Sequence, residues 1–458
     1  MMRYEFDATK LKLLPLPRNA GEVVPYAREL DRLARRRSER SVQALLGSTS
    51  EWRDPHALRS VLDARRASDY ADMCQMVGLQ EELDWLCYRL FDLTYEEACA
   101  VAEVEGVPPT WLPLALEHAR LDAEASSERS DDDGADLLTK WFSRHRWEAL
   151  QSLPSDAPAT VRERVARRIR TTERSAALRV LESATYKRRW ANPDYPTEEA
   201  VGLQVWLTER IEKVARDRGR PLSIDQIAAS LQDDVRVLAV CEVLTGRRDF
   251  DLTQLVAERI ASDAVPNCDS HIYKGSGLDK RNAWLRTWDE QRREDAGEDV
   301  TPDVAPSYGK PDFLSPEYYS IRGKLDVPRE RFIAFTEIPR RSGAATLFGW
   351  AGWTPMQRLK AILAIDEELE DGGVPLADRA ALLDSAWRLL PDVAREDAGV
   401  AVRLKAELQA LVGPEGPSRE LIEDWRKRNP PPNTRGAKTR RAKNRDDDAD
   451  GESEEGDE

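Results

Sequence analysis

The sequence predicts a mainly α protein: a helical spacer region, then a small α+β domain containing a β-hairpin, then a disordered charged tail. Three observations predict it. Apolar residues recur at spacings of three and four over most of the chain, as the buried stripe of a helix requires. Only Arg331-Phe332-Ile333-Ala334-Phe335-Thr336 and Thr346-Leu347-Phe348-Gly349-Trp350 have the aromatic and apolar density of short strands. Beyond Trp425 the chain carries Pro430-Pro431-Pro432 and two opposed charge blocks, with too little apolar surface to bury.

Taken in order, Leu11 to Pro17 reads as a proline-stiffened turn, followed by a helix from about Val23 to Leu46 that Gly47 stops. Its basic cluster, Arg35, Arg36, Arg37 and Arg40, reads as a solvated face, with phosphate contact as the functional alternative. Leu79, Leu83, Leu86 and Leu90 form one apolar stripe that faces a core or a partner helix. A polar stretch from Ser126 through Asp131-Asp132-Asp133-Gly134 suits a loop and a soft boundary. Residues 159 to 182 are helical and arginine-rich, and Tyr186-Lys187-Arg188-Arg189-Trp190 follows before Pro193 breaks the run. A helix is expected from Thr197, as N-cap, to Arg216. Ser223 and Gln226 have the spacing of a capping box that opens a short helix to Leu231. With the next helix, Asp233 to Leu244, the pair has helix-turn-helix spacing, but Asp225, Asp233 and Asp234 on its polar face would repel phosphates. Prolines and glycines from Pro306 to Pro316 mark a linker, and the two strand candidates join through Ser342-Gly343 as a hairpin. Helices return at Pro355 to Glu370, Leu376 to Leu390 and Val400 to Leu411. The domains expected are 1–130, 131–305, 306–428 and the tail 429–458.

The chain has 458 residues, 41% apolar and 33% charged, which suits a folded protein of two to four domains and excludes a collagen-like or wholly disordered one. Its formal charge is −15; residues 435–445 hold six basic side chains, residues 446–458 hold nine acidic ones, and the body without them keeps −12. Such a body does not coat DNA indiscriminately, so any nucleic-acid contact must be a local patch. Cys74, Cys87, Cys99, Cys241 and Cys268 show no paired pattern and read as reduced thiols of a cytoplasmic protein. The N-terminus has no apolar signal core and no run of 18 apolar residues occurs, so no membrane partner is expected.

Catalytic constellations are mostly absent from the sequence. It contains no phosphate-binding Gly-x-x-x-x-Gly-Lys, no His-Glu-x-x-His and no Gly-x-Ser-x-Gly, and Gly275-Ser276-Gly277 reads as a bare loop. Cys268 and His271, with distant Cys241, fall short of the four ligands of a structural zinc site, so no metal is expected. Asn192-Pro193-Asp194-Tyr195 departs from the base-gripping Asn-Pro-Pro-Tyr loop at its third position and reads as a turn between helices. Pro311-Asp312 begins a nuclease-like pattern that no acidic-x-Lys triplet closes. His56, His118, His145 and His271 stand apart.

Several segments together resemble, in order, the C-terminal portion of the PglX family, the adenine-specific DNA methyltransferases of type 2 BREX (phage growth limitation) defence systems. They are Tyr4-Glu5-Phe6 with Thr9-Lys10-Leu11 and Leu14 to Pro17, Leu79 to Trp85 with Tyr88-Arg89-Leu90, and Tyr186 to Trp190. The more specific ones are Arg322 to Phe332, with its Gly-Lys-Leu-Asp-Val-Pro core, and Gly349-Trp350-Ala351-Gly352-Trp353; Trp425 with a basic tail closes the series. The resemblance implies that the S-adenosylmethionine-binding domain, its Asn-Pro-Pro-Tyr loop and most of a target-recognition domain belong to a missing methyltransferase half. This chain then has no catalytic, cofactor-binding or metal-binding residue and no activity alone. Its implied partners are that half, DNA through local contacts, and other BREX proteins. The expected DNA contacts are Lys187, Arg188 and Arg189 beside Trp190, then Arg322 and Lys324, then Arg435, Lys438, Arg440, Arg441, Lys443 and Arg445. A defence-complex adaptor without DNA contact, or an inactive relic of a split gene, are the alternatives.

Overall fold

The computed structural model describes residues 17, 19–47, 52–128, 136–184, 186–187, 190–267, 272–302, 330–338 and 345–429. Its contacts divide the chain into two compact units, Met1–Trp206 and Leu207–Glu458. The boundaries expected near residues 130 and 305 fall outside the described residues, whereas this division falls inside a helix.

The first unit is built on helices α1 (Val24–Glu39), α2 (Val42–Gly47), α3 (Pro55–Leu90), α4 (Pro113–Glu128), α5 (Asp136–His145), α6 (Ala159–Arg174), α7 (Ala176–Leu181) and the start of α8 (Tyr195–Arg218). Its spine is the 36-residue α3. Asp54 caps it by accepting from the His56 and Ala57 amides at 2.9 Å, and Pro55 occupies the first turn, where its missing N–H costs nothing. The expected stripe packs as a core face: Leu79 and Leu86 are buried with Tyr26 and Leu33 of α1, and Leu83 and Leu90 lie against them. An earlier stretch of the same helix buries Met73 and Val77 against Leu112 and Leu116, before and on α4, and Val161 and Val165 of α6.

Two local expectations are corrected in this unit. The helix expected from Val23 to Leu46 is interrupted at Arg40, whose carbonyl accepts from Arg65 Nε at 2.9 Å and so leaves the helical ladder. The cap of α8 is Asp194 rather than Thr197. Its Oδ1 accepts from the Thr197 amide at 3.1 Å, which starts the helix two residues early and confirms Asn192 to Tyr195 as a turn between helices.

The second unit contains the rest of α8, then β1 (Leu222–Ser223), α9 (Ile224–Leu231), α10 (Val235–Thr245), α11 (Leu252–Asp263), β2 (Ala264–Pro266) and α12 (Gly275–Asp295). It continues with β3 (Phe332–Ala334), β4 (Leu347–Trp350), α13 (Pro355–Asp371), α14 (Leu376–Glu396), α15 (Ala398–Val412) and α16 (Arg419–Arg428). The expected hairpin is present: β3 and β4 pair antiparallel with Phe332 opposite Trp350 and Ala334 opposite Phe348. It forms the centre of a four-stranded sheet of order β1-β4-β3-β2, with β1 antiparallel to β4 and β2 parallel to β3. The two edge strands are two and three residues long, too short for an alternating pattern in the sequence.

Beside the sheet, Leu359, Ile362 and Ile365 of α13 meet Leu382, Leu383 and Ala386 of α14 and Leu404 and Leu408 of α15, while Phe335 and Trp353 join the strand region to this core. Capping boxes at Ser223–Gln226 and Thr354–Gln357 open α9 and α13. Gly275-Ser276-Gly277 is the first turn of α12, not a bare loop. Helix α16, unforeseen, begins at the Ser418 cap and buries Trp425 against Ala381 of α14. No helix among the described residues is long and apolar enough to cross a membrane.

Candidate nucleic-acid interface

Of the expected DNA contacts, Lys187 and Trp190 lie within the described residues. Arg188, Arg189, Arg322, Lys324, Arg435, Lys438, Arg440, Arg441, Lys443 and Arg445 lie outside them. Lys187 is 6% exposed, and its ammonium is enclosed by Glu182 at 2.5 Å, Glu81 at 2.7 Å and Asp84 at 3.5 Å. It does not reach a surface where a phosphate could bind, so its assignment as a DNA contact is corrected to a core ion-pair residue. Trp190 is half-buried beside the α3 and α6 core, and its carbonyl accepts from Trp147 Nε1 at 2.6 Å.

The carboxylates around Lys187 include Glu81 and Asp84 from the Gln80 to Trp85 segment of α3, one of the segments that carry the family resemblance. Glu81 accepts from Trp85 Nε1 at 2.9 Å, and Arg168 of α6 reaches Glu82 at 2.8 Å with its guanidinium 4.9 Å from the Trp85 ring centroid. Tyr88 donates to Glu182 at 2.8 Å. Burial alone would lower the pKa of Lys187, but Glu81, Glu182 and Asp84 overcome it and hold the ammonium above its ordinary value. Burial likewise opposes the charge on Glu81, and Lys187 and Arg168 keep its carboxyl below the usual range. Burial raises the carboxyls of Glu182 and Asp84 even beside the Lys187 ammonium, so the cluster is a paired and largely solvent-shielded one in which Lys187 and Glu81 hold the charge most firmly.

The α1 arginines follow the same rule. Arg36 and Arg40 pair with Asp72, and Arg37 meets Asp69 at 2.8 Å, where Tyr195 also donates at 2.8 Å. Three of the four cluster members therefore knit α1 to α3 instead of forming a solvated face; Arg35 pairs with Asp31 on the exposed side. Asp194 caps α8 and Tyr195 bonds Asp69, so the tetrapeptide nearest to a base-gripping loop is occupied structurally. It does not fit the role of an S-adenosylmethionine-dependent site, because its carboxylate and its phenol are both already engaged within the fold.

Many other cations stay at the surface, among them Arg28, Arg59, Arg220 and Arg403 and a row on α6. Arg167, Arg170 and Arg174 follow one face of α6 at spacings of three and four. Arg167 pairs with Glu96 at 2.5 Å, whereas exposed Arg170 and Arg174 have no acidic partner among the described residues. This spacing was visible in the sequence but was hidden among the other charged residues of the same helix. The helix-turn-helix-like pair α9 and α10 exposes Asp225, and Asp234 caps α10 through the Arg236 and Val237 amides. On α12, Trp284 and Trp288 stand 37% and 42% exposed, with ring centroids 6.0 Å apart at 73°. Cys241 is buried, Cys268 and His271 lie outside the described residues, and no metal-holding group of three or more ligands occurs among the described residues.

Residues 76–438 match the family described as Domain of unknown function (DUF7008). Over 378 residues the chain is 33% identical to the adenine-specific methyltransferase PglX of Streptomyces coelicolor, covering 79% of this chain and 29% of that protein. The chain thus spans less than a third of the length of that curated relative. No solved structure matches. With a family match over most of its length, the chain belongs to the DUF7008 family, and its likeness to PglX lies in the C-terminal part of that methyltransferase.

Proposed function

We propose that this chain is a non-catalytic C-terminal part, or a separately encoded subunit, of a PglX-like adenine-specific DNA methyltransferase in BREX phage defence, and that it helps to hold DNA and dock partner proteins. The observation that carries this reading is the 33% identity to the C-terminal part of PglX. The sequence supports the non-catalytic role, because Asn192-Pro193-Asp194-Tyr195 departs from the methyltransferase loop and has structural duties in the turn before α8.

In this mechanism the other half extrudes an adenine at an unstacking cost of about a few kcal/mol, and this chain holds the flanking duplex. Arg170 and Arg174 supply phosphate contacts, together with the expected cations at Arg188, Arg189, Arg322, Lys324 and the basic tail. Docking is supported by the exposed Trp284 and Trp288, since tryptophan is enriched where partner proteins bury binding energy. Arginine stays charged throughout the physiological pH range, so the grip on DNA depends on ionic strength rather than on titration.

Binding of a fluorescent duplex to the full chain across a salt series tests the reading. The expected result is affinity that falls steeply with salt, and a shallower slope in the Arg170→Ala, Arg174→Ala double variant, by about 0.9 for each phosphate contact removed. The burial of Lys187 and the acidic body favour the adaptor reading without DNA contact. That reading is the one left standing if no salt-dependent binding is found.

A further inference from the structure

Helix α8 carries Arg210, Lys213, Val214, Asp217 and Arg218 at spacings of three and four, so within the second unit these side chains share one face. That face and the turn between α9 and α10 enclose a cleft of about 310 Å³, to which Ser230, Leu231 and Asp234 contribute.

Positive charge outweighs negative there. Of the two carboxylates in the lining, Asp217 is bonded by Lys213 and met by Arg216 Nε at 3.4 Å, and the Lys213 bond holds its carboxyl below the usual range. Asp234 Oδ1 accepts from the Arg236 and Val237 amides at 2.9 and 3.3 Å as the cap of α10. Arg218 reaches Ser230 Oγ at 3.4 Å and pairs with no carboxylate among the described residues. Arg236, half-buried in the first turn of α10, stands beside Arg210. Burial first, and then that neighbouring guanidinium, lower its pKa from the ordinary value, against the pull of Asp234. Arg210, Lys213, Arg218 and Arg236 thus gather around Asp217 and Asp234, an excess of positive charge that an anion would relieve.

The chemistry of that anion follows from the donors. Guanidinium groups offer forked N–H pairs that match two oxygens of a phosphate, and they stay charged at any physiological pH. We propose that this cleft binds a phosphate group, with Arg210 and Arg218 donating to its oxygens and Lys213 and Arg236 adding positive field, and that a nucleic-acid backbone supplies it. Asp225, exposed at the start of α9, lies outside the lining. The nucleic-acid source rests on the DNA reading proposed above, whereas the phosphate site does not.

Two probes of the full chain test it: inorganic phosphate followed by calorimetry, and a fluorescent duplex across a salt series. Phosphate is expected to bind saturably in the millimolar range. The Arg210→Gln, Arg218→Gln double variant is expected to weaken phosphate about ten-fold or more, and to make the salt slope of duplex binding shallower by about 0.9 for each contact removed. Ser230→Asp, at an exposed position, adds a carboxylate without removing a cation; it is expected to weaken both probes several-fold and leave the unfolding curve in place. Weakened phosphate with unchanged duplex binding would keep the site and overturn its nucleic-acid source in favour of a free phosphorylated molecule. A chain that binds phosphate but no duplex would overturn the DNA reading and leave the site standing. The site itself is overturned if the chain binds neither probe, or if neither probe weakens in the folded variants.

Discussion

A lysine enclosed by three carboxylates holds its place because removing it strands negative charge away from water. Lys187→Ala is therefore expected to cost about 3–5 kcal/mol of stability, read as an earlier urea midpoint for the first unit. Loss of DNA binding in that variant would track unfolding rather than a missing phosphate contact. A second buried charge sits in the other unit, where Glu337 accepts from Asn267 at 2.5 Å and from Ser385 at 2.9 Å while its remaining oxygen has no partner. Burial pushes its carboxyl up to about 7, against the pull of these bonds and of Arg358. A raised carboxyl pKa means that the folded state keeps a proton the unfolded chain has released. Stability from this group is full below about pH 4, declines as pH rises through about 7, and is flat above, a change of about 3 kcal/mol. Glu337→Gln should remove that slope between pH 5 and 7 in paired denaturation curves; an identical slope in both proteins would refute the assignment. Glycine identity matters in the Gly349 to Trp353 segment for a steric reason. A Cβ on Gly349 would overlap the ring of Trp353, and one on Gly352 would overlap the ring of Trp350. Gly349→Ala is expected to cost about 1–3 kcal/mol in the second unit, measurable by thermal unfolding.

Helices were the legible elements, since an amphipathic period extends over several turns. The stripe from Leu79 to Leu90, the Ser223–Gln226 capping box and the three helices after Trp353 could be read from residue order alone. The central hairpin was legible too, because Phe332 to Phe335 and Leu347 to Trp350 are dense in aromatic and apolar residues. What the order of residues did not reveal depended on distant partners. The edge strands β1 and β2 are too short to carry a period and exist because the hairpin offers them open backbone. The α1 arginines read as surface charge because their carboxylates lie far off along the chain, on α3, as do two of the three around Lys187, Glu81 and Asp84. Helix α14 continues to Glu396 through Pro391, beyond the stop expected at Leu390. Helix α16 was hidden by its charge, and a single buried tryptophan anchors it. Trp425→Ala is expected to destabilise the second unit by about 3–5 kcal/mol and to expose α16 to proteolysis, seen as new cleavage near Arg419 to Arg428.

At the scale of the whole molecule, two helical units follow one another along a chain whose sequence matches the last part of a larger methyltransferase. The described cores turn their strongest charge clusters inward, so the proposed DNA contacts are those of α6, of Arg188, Arg189, Arg322 and Lys324, and of the basic tail. Because the net charge is −15, such contacts work as local patches and should weaken sharply with salt. The most direct measurement is adenine methylation by a co-expressed PglX-type S-adenosylmethionine-binding domain, assayed with and without this chain, together with co-purification of the two. A stable complex whose DNA methylation requires this chain is the expected result. Failure to associate, with methylation indifferent to its presence, would contradict the methyltransferase role.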